Sequence, residues 1–284
     1  MLFRSLGGFL FGFGMPLASG CGSKTLIRIG GGSLKSLVVF LVIGLTAYMT
    51  LKGLFAVWRV AYLDPVAVTL AGTQDLPSLL ARASGAGKQS LQIALSLILA
   101  CALLAFALKS REFRSPATVA MGVLIGLTVV GGWYVSGKIG YLAEDPTTLQ
   151  EAYAGTNSGR MESLSFVAPI AYTLELLMFW SDKSRYVSFG IAAALGVIAG
   201  SFTVAVAGKT FRWEGFGSPE DTANHLVGGA LMGFGGVTAL GCTIGQGISG
   251  ISTLALGSFI TFAAIVAGAV AAFKYQYWRI ETSA

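Results

Sequence analysis

The chain has 284 residues, of which 54% are hydrophobic and only 11% are charged, and its mean hydropathy is +0.73. A soluble domain of this length does not tolerate so apolar a composition, so the sequence indicates an integral membrane protein. The formal net charge of +6 is explained by basic cytoplasmic loops, and we expect no nucleic-acid partner. Three cysteines without a CxxC pair and one histidine form no recognisable metal or haem site, so neither a metal nor a cofactor is expected.

The chain opens on a short apolar segment that occurs a second time near its other end. GGFLFGFGMPLASGC, residues 7–21, returns at an offset of 221 as GGALMGFGGVTALGC, residues 228–242, with nine of fifteen positions identical. Both copies end on a cysteine, Cys21 and Cys242, and about ten small or polar residues separate each cysteine from a full-length apolar stretch. The repeated unit is therefore a short helix, a cysteine loop and a complete helix. We place its copies at 5–56 and 225–273.

Complete membrane spans are predicted from windows of about 20 apolar residues, the length that crosses the hydrocarbon layer. Six windows qualify: 34–56, 90–108, 117–136, 164–180, 188–207 and 254–273. The bias of Lys and Arg toward the cytoplasm places the KSREFRSP and SDKSR loops and both chain ends inside, and the acidic loop 137–163 outside. Residues 1–284 are thus predicted to form a single transmembrane domain.

The short helices require a special arrangement in lipid. A half-length helix must turn back or continue as a broken helix, and its irregular backbone is tolerated only beside protein or a polar cavity. The loop charges predict that the first unit enters from the cytoplasm and the second from outside. The expected fold class is an all-α integral membrane protein, an inverted-repeat helical bundle with two re-entrant or broken half-helix units. In such folds the substrate site lies near the midplane, where we expect both cysteines.

Two stretches carry a resemblance to a known family. FGFGMPLASGCGSKTLIRIGGGSLKSLVVF and GGALMGFGGVTALGCTIGQGISGISTLALGSFI resemble the two signature regions of the YeeE/YedE family of sulfur-compound transporters, with Cys21 and Cys242 at the family's loop cysteines. The resemblance implies an inverted-repeat fold with re-entrant helices. It also implies transport without enzymatic catalysis, in which thiosulfate or a related sulfur anion is imported between cysteine side chains. A small cytosolic sulfur-carrier protein is the implied partner, beside the membrane lipid.

The sequence departs from the family pattern in two ways. Members usually carry one or more helices before the first cysteine unit, whereas this chain begins almost on it, as a truncated member or an incomplete gene would. Some members also use a third cysteine, but Cys101 lies in SLILACALLAFAL without a glycine signature. We interpret Cys101 as a packing residue.

The chemistry of a soft dianion assigns roles to the residues around the two loops. The half-helices that begin after Cys21 and Cys242 present free backbone N–H groups and partial positive charge. A neutral thiol can donate its S–H weakly to a passing sulfur, whereas a thiolate would repel the anion. The full set of predicted path residues is Gly20, Cys21, Gly22, Ser23, Gly241, Cys242, Thr243 and Gln246, in which Ser23, Thr243 and Gln246 supply hydroxyl and amide donors.

Two other functions are compatible with these patterns. One is a channel or transporter for a small solute without sulfur, in which the glycine half-helices only shape a pore. The other is a membrane thiol redox protein in which Cys21 and Cys242 form a disulfide, although such proteins normally carry CxxC. Glu175 within a predicted span is either a functional acid or an interfacial residue. His225 is interpreted as an interface or capping residue.

Overall fold

The structure is a computed structural model that describes residues 2–65, 73–85, 87–144 and 149–283. Parts of the predicted connection 57–89 and of the predicted acidic loop lie outside these residues. The described chain is almost entirely helical and includes one antiparallel hairpin, β1 (Tyr141–Leu142) and β2 (Ala152–Tyr153). Its helices are α1 (Leu2–Leu17), α2 (Gly22–Gly30), α3 (Leu34–Lys52), α4 (Leu54–Trp58), α5 (Leu76–Ser84), α6 (Lys88–Lys109), α7 (Pro116–Tyr134), α8 (Val167–Met178), α9 (Phe189–Ala207), α10 (Pro219–Thr238) and α11 (Leu256–Ser283). The predicted all-α fold class is confirmed.

Several of these helices are membrane spans by length and composition. Within the described residues, five stretches are long and apolar enough to cross a bilayer: Leu34–Lys52, Lys88–Lys109, Pro116–Ile139, Phe189–Ala207 and Leu256–Thr282. They match five of the six windows predicted from the sequence. The chain is therefore a multi-pass membrane protein.

The sixth predicted span, 164–180, is wrong. α8 has 12 residues, which make about 18 Å of helix and do not cross the hydrocarbon layer. The residues before α8 form no regular helix. Their polar groups form hydrogen bonds with neighbouring elements instead. The buried Ser163 hydroxyl donates to the Val129 carbonyl on α7 at 2.8 Å, and the Ser249 hydroxyl donates to the Leu164 carbonyl at 2.7 Å. A hydropathy window does not detect such polar anchoring.

The loops before and after α8 lie at the same end of the bundle. The Phe189 backbone N–H donates to the Gly155 carbonyl at 2.7 Å, and the Tyr186 hydroxyl donates to the Thr156 carbonyl at 3.3 Å. The chain therefore enters the bundle after Thr156 and returns through α8 to the end it started from. This corrects the prediction that the acidic loop and the SDKSR loop lie on opposite sides of the membrane, which assumed a complete span between them.

We name the two ends of the bundle the Lys35 end and the Lys52 end, after the lysines at the two ends of α3. At the Lys35 end, Lys35 forms ion pairs with Glu214 at 3.0 Å and with Asp221, in the first turn of α10, at 3.7 Å. At the Lys52 end, Lys52 forms an ion pair with Glu175 of α8 at 2.8 Å. Because α3 and α10 both begin at the Lys35 end, they run in the same direction.

The centre of the bundle is the crossing of α1 and α10, which is built from glycine. A Cβ on Gly7 would lie 2.8 Å from the Gly235 carbonyl oxygen, and a Cβ on Gly14 would lie 2.5 Å from the Gly228 carbonyl oxygen. Because Gly7 pairs with Gly235 and Gly14 with Gly228, the two helices are antiparallel, and α1 begins at the Lys52 end. Without side chains at these positions the backbones approach closely, as in other membrane helix pairs.

The two cysteine turns share one backbone conformation. Ser19 and Leu240, at equivalent positions, have φ angles of 61° and 58°, and the glycines that follow, Gly20 and Gly241, have φ of 151° and 159°. The Gly20 N–H donates to the carbonyl five residues before it at 2.8 Å, and the Gly241 N–H does the same at 2.9 Å. The repeat seen in the sequence therefore ends α1 and α10 in the same way, immediately before each cysteine. α10, with 20 residues, is longer than the half-length helix predicted for the second unit.

The glycine crossing yields a stability prediction. Gly235→Ala should destabilise the protein by about 1–3 kcal/mol, since overpacking of this kind forces backbones apart, and its Cβ would lie 2.5 Å from the Phe11 nitrogen. Gly200→Ala on α9 is the matched control because no atom lies within 4 Å of its added Cβ. The control should be neutral or slightly stabilising, since alanine favours a helix over glycine. Thermal unfolding of the purified variants in detergent measures both, and equal melting temperatures would contradict the role given to the crossing.

Candidate functional site

Cys21 lies at the N-cap position of α2, directly after the turn that ends α1. Its side chain is partly exposed, and its sulfur lies 3.1 Å from the Ser23 hydroxyl. The neighbouring Gly22 is buried and faces Phe166 and Val167 at the start of α8. The predicted residues Gly20, Cys21, Gly22 and Ser23 are thus brought together by one turn.

Cys242 occupies the equivalent turn and is almost completely buried, with 1% of its surface exposed. The Gly245 N–H donates to its sulfur at 3.4 Å, and the Ser165 hydroxyl lies 4.0 Å from the same atom. A helical stretch from 243 to 252, with a π turn at Gly245–Gly250, starts directly after the cysteine. The thiol therefore lies at a helix N-terminus, where backbone N–H groups are directed toward it.

The two cysteines lie against one hydrophobic core. Cys242 is part of the buried core cluster, and Cys21 and Met15 pack against that cluster. Val167 of α8 contacts both halves, since it faces Gly22 beside the first cysteine and Gly236 on α10. α8, which was missed as a short helix, thus packs between the two cysteine turns.

Gln246 and Thr243, the predicted polar donors beside Cys242, form hydrogen bonds to different partners. The Gln246 amide nitrogen donates to the Ala239 carbonyl at 2.8 Å and to the Leu240 carbonyl at 3.1 Å. Both amide hydrogens therefore cap the end of α10, and the side chain holds the turn. The Thr243 hydroxyl instead donates to the sulfur of Met15 on α1 at 3.2 Å.

A cavity of about 570 Å³ reaches the Cys242 turn from the Lys52 end. Its inner wall includes Gly241, Gly245, Gln246 and Ser165, which surround the buried thiol. Three arginines and one acid also line it: Arg4, Arg59, Arg160 and Glu162. The buried Nε of Arg59 has no hydrogen-bond partner within the described residues, although Asp64 lies 3.6 Å away. The lining is thus rich in cationic donors that can bind an anion.

The sequence predictions did not include this cavity. Arg160 and Ser165 lie in the irregular segment before α8, which hydropathy assigned to an aqueous loop and a span. The clustering of asparagine, serine and arginine in TNSGRMESLS, residues 156–165, is the signal that indicates a polar segment inside the bundle. It becomes informative only when that segment is known to enter the bundle.

The remaining candidate residues, Glu175, His225 and Cys101, occupy positions that indicate structural roles. Glu175 is buried with 2% exposure, and its carboxylate binds Lys52 at 2.8 Å and Arg185 at 2.9 Å. His225 is buried in α10, and its Nδ1 lies 2.7 Å from the Asp221 carbonyl oxygen of the preceding turn. Cys101 is exposed on the outer surface of α6. Neither His225 nor Cys101 is among the residues that line the cavity.

Membrane-spanning helices around an arginine-lined cavity that extends to the Cys242 turn are typical of a membrane transport protein. The family model described as sulphur transport matches residues 4–271. The chain therefore belongs to this family of sulfur-compound transporters, and the YeeE/YedE resemblance is confirmed.

Two curated relatives are named thiosulfate transporter TsuA. The protein from Escherichia coli (strain K12) is 28% identical over 247 residues, which cover 86% of this chain and 65% of that protein. The protein from Spirochaeta thermophila is 28% identical over 267 residues, which cover 90% of this chain and 72% of that protein. The chain thus spans slightly less than two thirds of the length of its Escherichia coli relative.

The Glu175 ion pairs yield a prediction about stability. Combining Lys52→Met with Arg185→Gln leaves a buried carboxylate without a cation, which should cost about 3–5 kcal/mol. Each single substitution retains one partner and should cost about 1 kcal/mol, since both cations are partly exposed to solvent. Thermal unfolding in detergent measures the three variants against Lys183→Met, an exposed residue of the same loop. If the loss of stability in the double variant equals the sum of the losses in the two single variants, the two cations do not share the role of neutralising Glu175.

Proposed function

We propose that this protein imports thiosulfate or a related small sulfur-containing anion along a path from the arginine-lined cavity past Cys242 to Cys21. The observation that carries the proposal is the cavity, because Arg4, Arg59 and Arg160 line the same space as Gly245 and Ser165, which neighbour the buried Cys242 thiol at a helix N-terminus. The names of the two TsuA relatives support the substrate class. The chain itself would act as a transporter and not as an enzyme.

The proposed path suits the chemistry of thiosulfate. Guanidinium groups bind its oxyanion end through charge-assisted hydrogen bonds. A neutral thiol is a weak, polarizable donor, so it contacts the terminal sulfur without trapping it. The two helix N-termini after Cys21 and Cys242 add partial positive charge at the narrowest, most apolar part of the route. Together these groups would attract a soft dianion and still release it.

We also propose that the two cysteine units are broken spans of opposite direction. α1 begins at the Lys52 end, and the chain reaches the Lys35 end after α2, where the Leu34 N–H donates to the Glu214 carbonyl at 2.8 Å. The second unit begins at the Lys35 end, and its helical stretch from 243 to 252 leads toward the Lys52 end. Each cysteine then lies within the membrane between two helical segments, as in transporters with inverted repeats.

The Lys35 end is proposed to face the cytoplasm. The KSREFRSP loop, which the sequence placed in the cytoplasm, lies at this end, because α7 spans the membrane from it to Trp133 beside the cavity. This orientation opens the arginine-lined cavity to the outside of a bacterial inner membrane, as import requires. The first unit then enters from outside and the second from the cytoplasm, the reverse of the entry sides predicted from the sequence. The prediction that both chain ends lie on the cytoplasmic side is wrong, because α1 begins at the Lys52 end and Arg279, near the end of α11, binds Glu220 at the Lys35 end. A small sulfur-carrier protein would receive the substrate at the Lys35 end.

The first functional prediction tests the thiols. Cys21→Ser and Cys242→Ser should each reduce thiosulfate-dependent growth severely, by about tenfold or more in uptake rate, because a hydroxyl is a harder and less polarizable partner for sulfur. The assay is growth of a bacterium that lacks its own thiosulfate uptake, with sulfate-dependent growth as the control for toxicity.

Cys101→Ser is the matched control for this test, because Cys101 lies on the outer surface of α6. It should support growth like the parent at equal membrane level. A Cys21→Ser, Cys242→Ser double variant that grows as well as the parent would favour the alternative, a pore for a small solute in which the cysteines are incidental. A disulfide between the two sulfurs in non-reducing mass spectrometry would favour the redox alternative.

The second functional prediction tests the cavity. Arg59→Gln and Arg160→Gln should each raise the KM for thiosulfate by about tenfold, the value of one charge-assisted hydrogen bond. Glu162→Gln should lower the KM, because it removes the negative charge that opposes an anion in the same cavity. Arg111→Gln, an exposed arginine at the opposite end of the bundle, is the control. Radiolabelled uptake in proteoliposomes measures all four, and unchanged KM values would exclude the cavity as the entry site.

A further inference from the structure

The hydrogen bond between Thr243 and Met15 is unusual in this bundle. The buried threonines within or at the start of helices donate to a backbone carbonyl four residues before them: Thr25, Thr50, Thr173, Thr238 and Thr261. Thr243 donates instead to a thioether sulfur at 3.2 Å. Sulfur in a thioether is a weak acceptor. This hydroxyl is thus held loosely, directly beside Cys242.

The surroundings explain why Thr243 has no carbonyl partner. The carbonyl four residues before it belongs to Ala239, and the Gln246 amide already donates to it at 2.8 Å. The same amide donates to the Leu240 carbonyl at 3.1 Å. Thr243 is the first residue of its helical stretch, so no carbonyl of that helix lies four residues before it, and its hydroxyl is directed toward Met15 on α1.

Met15 connects the two cysteine turns. Its backbone carbonyl accepts the Gly20 N–H at 2.8 Å, which closes the turn before Cys21, while its side chain reaches Thr243 in the second turn. Its side chain also packs against the core cluster that contains Cys242. At the offset of 221, Met15 and Thr243 correspond to Gly236 and Gly22, so this contact occurs once and is not repeated.

We infer that Met15 and Thr243 form a third binding subsite between the two thiols, for an anion with oxygens at one end and a soft sulfur at the other. The inference rests on the proposed function and adds two residues with distinct tasks. The Thr243 hydroxyl leaves the weak thioether acceptor and donates to an oxygen of the passing anion. The Met15 side chain provides the polarizable surface along which the terminal sulfur moves between the two thiols.

The subsite depends on an exchange of hydrogen-bond acceptors by the Thr243 hydroxyl, from the Met15 thioether to an oxygen of the anion. A hydroxyl that bonds a backbone carbonyl must give up a good neutral acceptor before it can bind a ligand, whereas one that bonds a thioether gives up little. The anion oxygen is a charged acceptor and holds the hydroxyl more strongly than either. The subsite therefore favours an oxyanion and releases it without a large barrier, because Met15 takes the hydroxyl back.

The test measures KM and maximal rate of radiolabelled thiosulfate uptake by the full chain in proteoliposomes. Thr243→Val removes the hydroxyl at nearly constant shape and should raise KM about tenfold, since a hydrogen bond to a charged group is lost. Thr243→Ser keeps the hydroxyl and should stay within about threefold of the parent. Met15→Leu conserves volume but removes the polarizable sulfur, and should lower the maximal rate about fivefold.

Two matched controls separate the subsite from a packing role. Thr50→Val removes a buried hydroxyl that donates to a backbone carbonyl, and Met232→Leu changes a fully buried methionine of the same core. Both should keep the parent KM and rate per molecule. A role in packing alone would reduce the melting temperature in all variants and would not be rescued by Thr243→Ser.

The outcomes distinguish this inference from the proposed function. Parent KM and rate in Thr243→Val and Met15→Leu, while the Cys21→Ser and Cys242→Ser variants are inactive, would overturn the subsite and keep the cysteine path. Equal defects in Thr243→Ser and Thr243→Val would also overturn it. No thiosulfate uptake by the parent would overturn the proposed function and the subsite together. A KM defect confined to Thr243→Val, with a slow Met15→Leu variant, supports the inference.

Discussion

The close contact between the glycine backbones of α1 and α10 determines where both cysteine turns lie. Apolar helices gain little from meeting each other in lipid, so their association depends on tight packing. The pairs are crossed: Gly7 meets Gly235 and Gly14 meets Gly228, so the first glycine of each copy meets a later glycine of the other. The contact therefore pairs equivalent positions of α1 and α10 in antiparallel order. The cysteines that end them are thereby brought to the same core.

A second constraint acts at the turns themselves, where an interrupted helix leaves backbone groups without partners. In lipid these groups must be satisfied by the protein. Gly20 and Gly241 have φ angles that side chains rarely adopt, and this lets each N–H reach back to a carbonyl of the preceding helix. α1 and α10 therefore end with these carbonyls, those of Met15 and Gly236, paired within the protein. The glycine before each cysteine is required by this geometry.

The sequence was sufficient to predict the features that depend on repeated residue identity. The similar turns before the two cysteines and five of the six spans were predicted because glycine spacing and apolar length have direct structural consequences. α8 was not predicted, because Ser163 is anchored to α7 by a bond that no window of hydropathy contains. The missing crossing also led to the wrong prediction that the acidic loop and the SDKSR loop lie on opposite sides of the membrane. The cavity arginines were missed since Arg59 and Arg160 resemble ordinary loop residues until the fold places them together.

The two turns differ in how their equivalent carbonyls are held, and this difference gives the proposed path its polarity. The Leu240 carbonyl accepts from the neutral amide of Gln246 at 3.1 Å, whereas the equivalent Ser19 carbonyl accepts from the Arg28 guanidinium at 3.2 Å. The Cys242 turn is therefore uncharged, and the Cys21 turn carries a cation. An anion drawn into the arginine-lined cavity would pass a neutral constriction and then meet positive charge again at Cys21. A constriction without a fixed cation does not hold a dianion, which allows the substrate to move on.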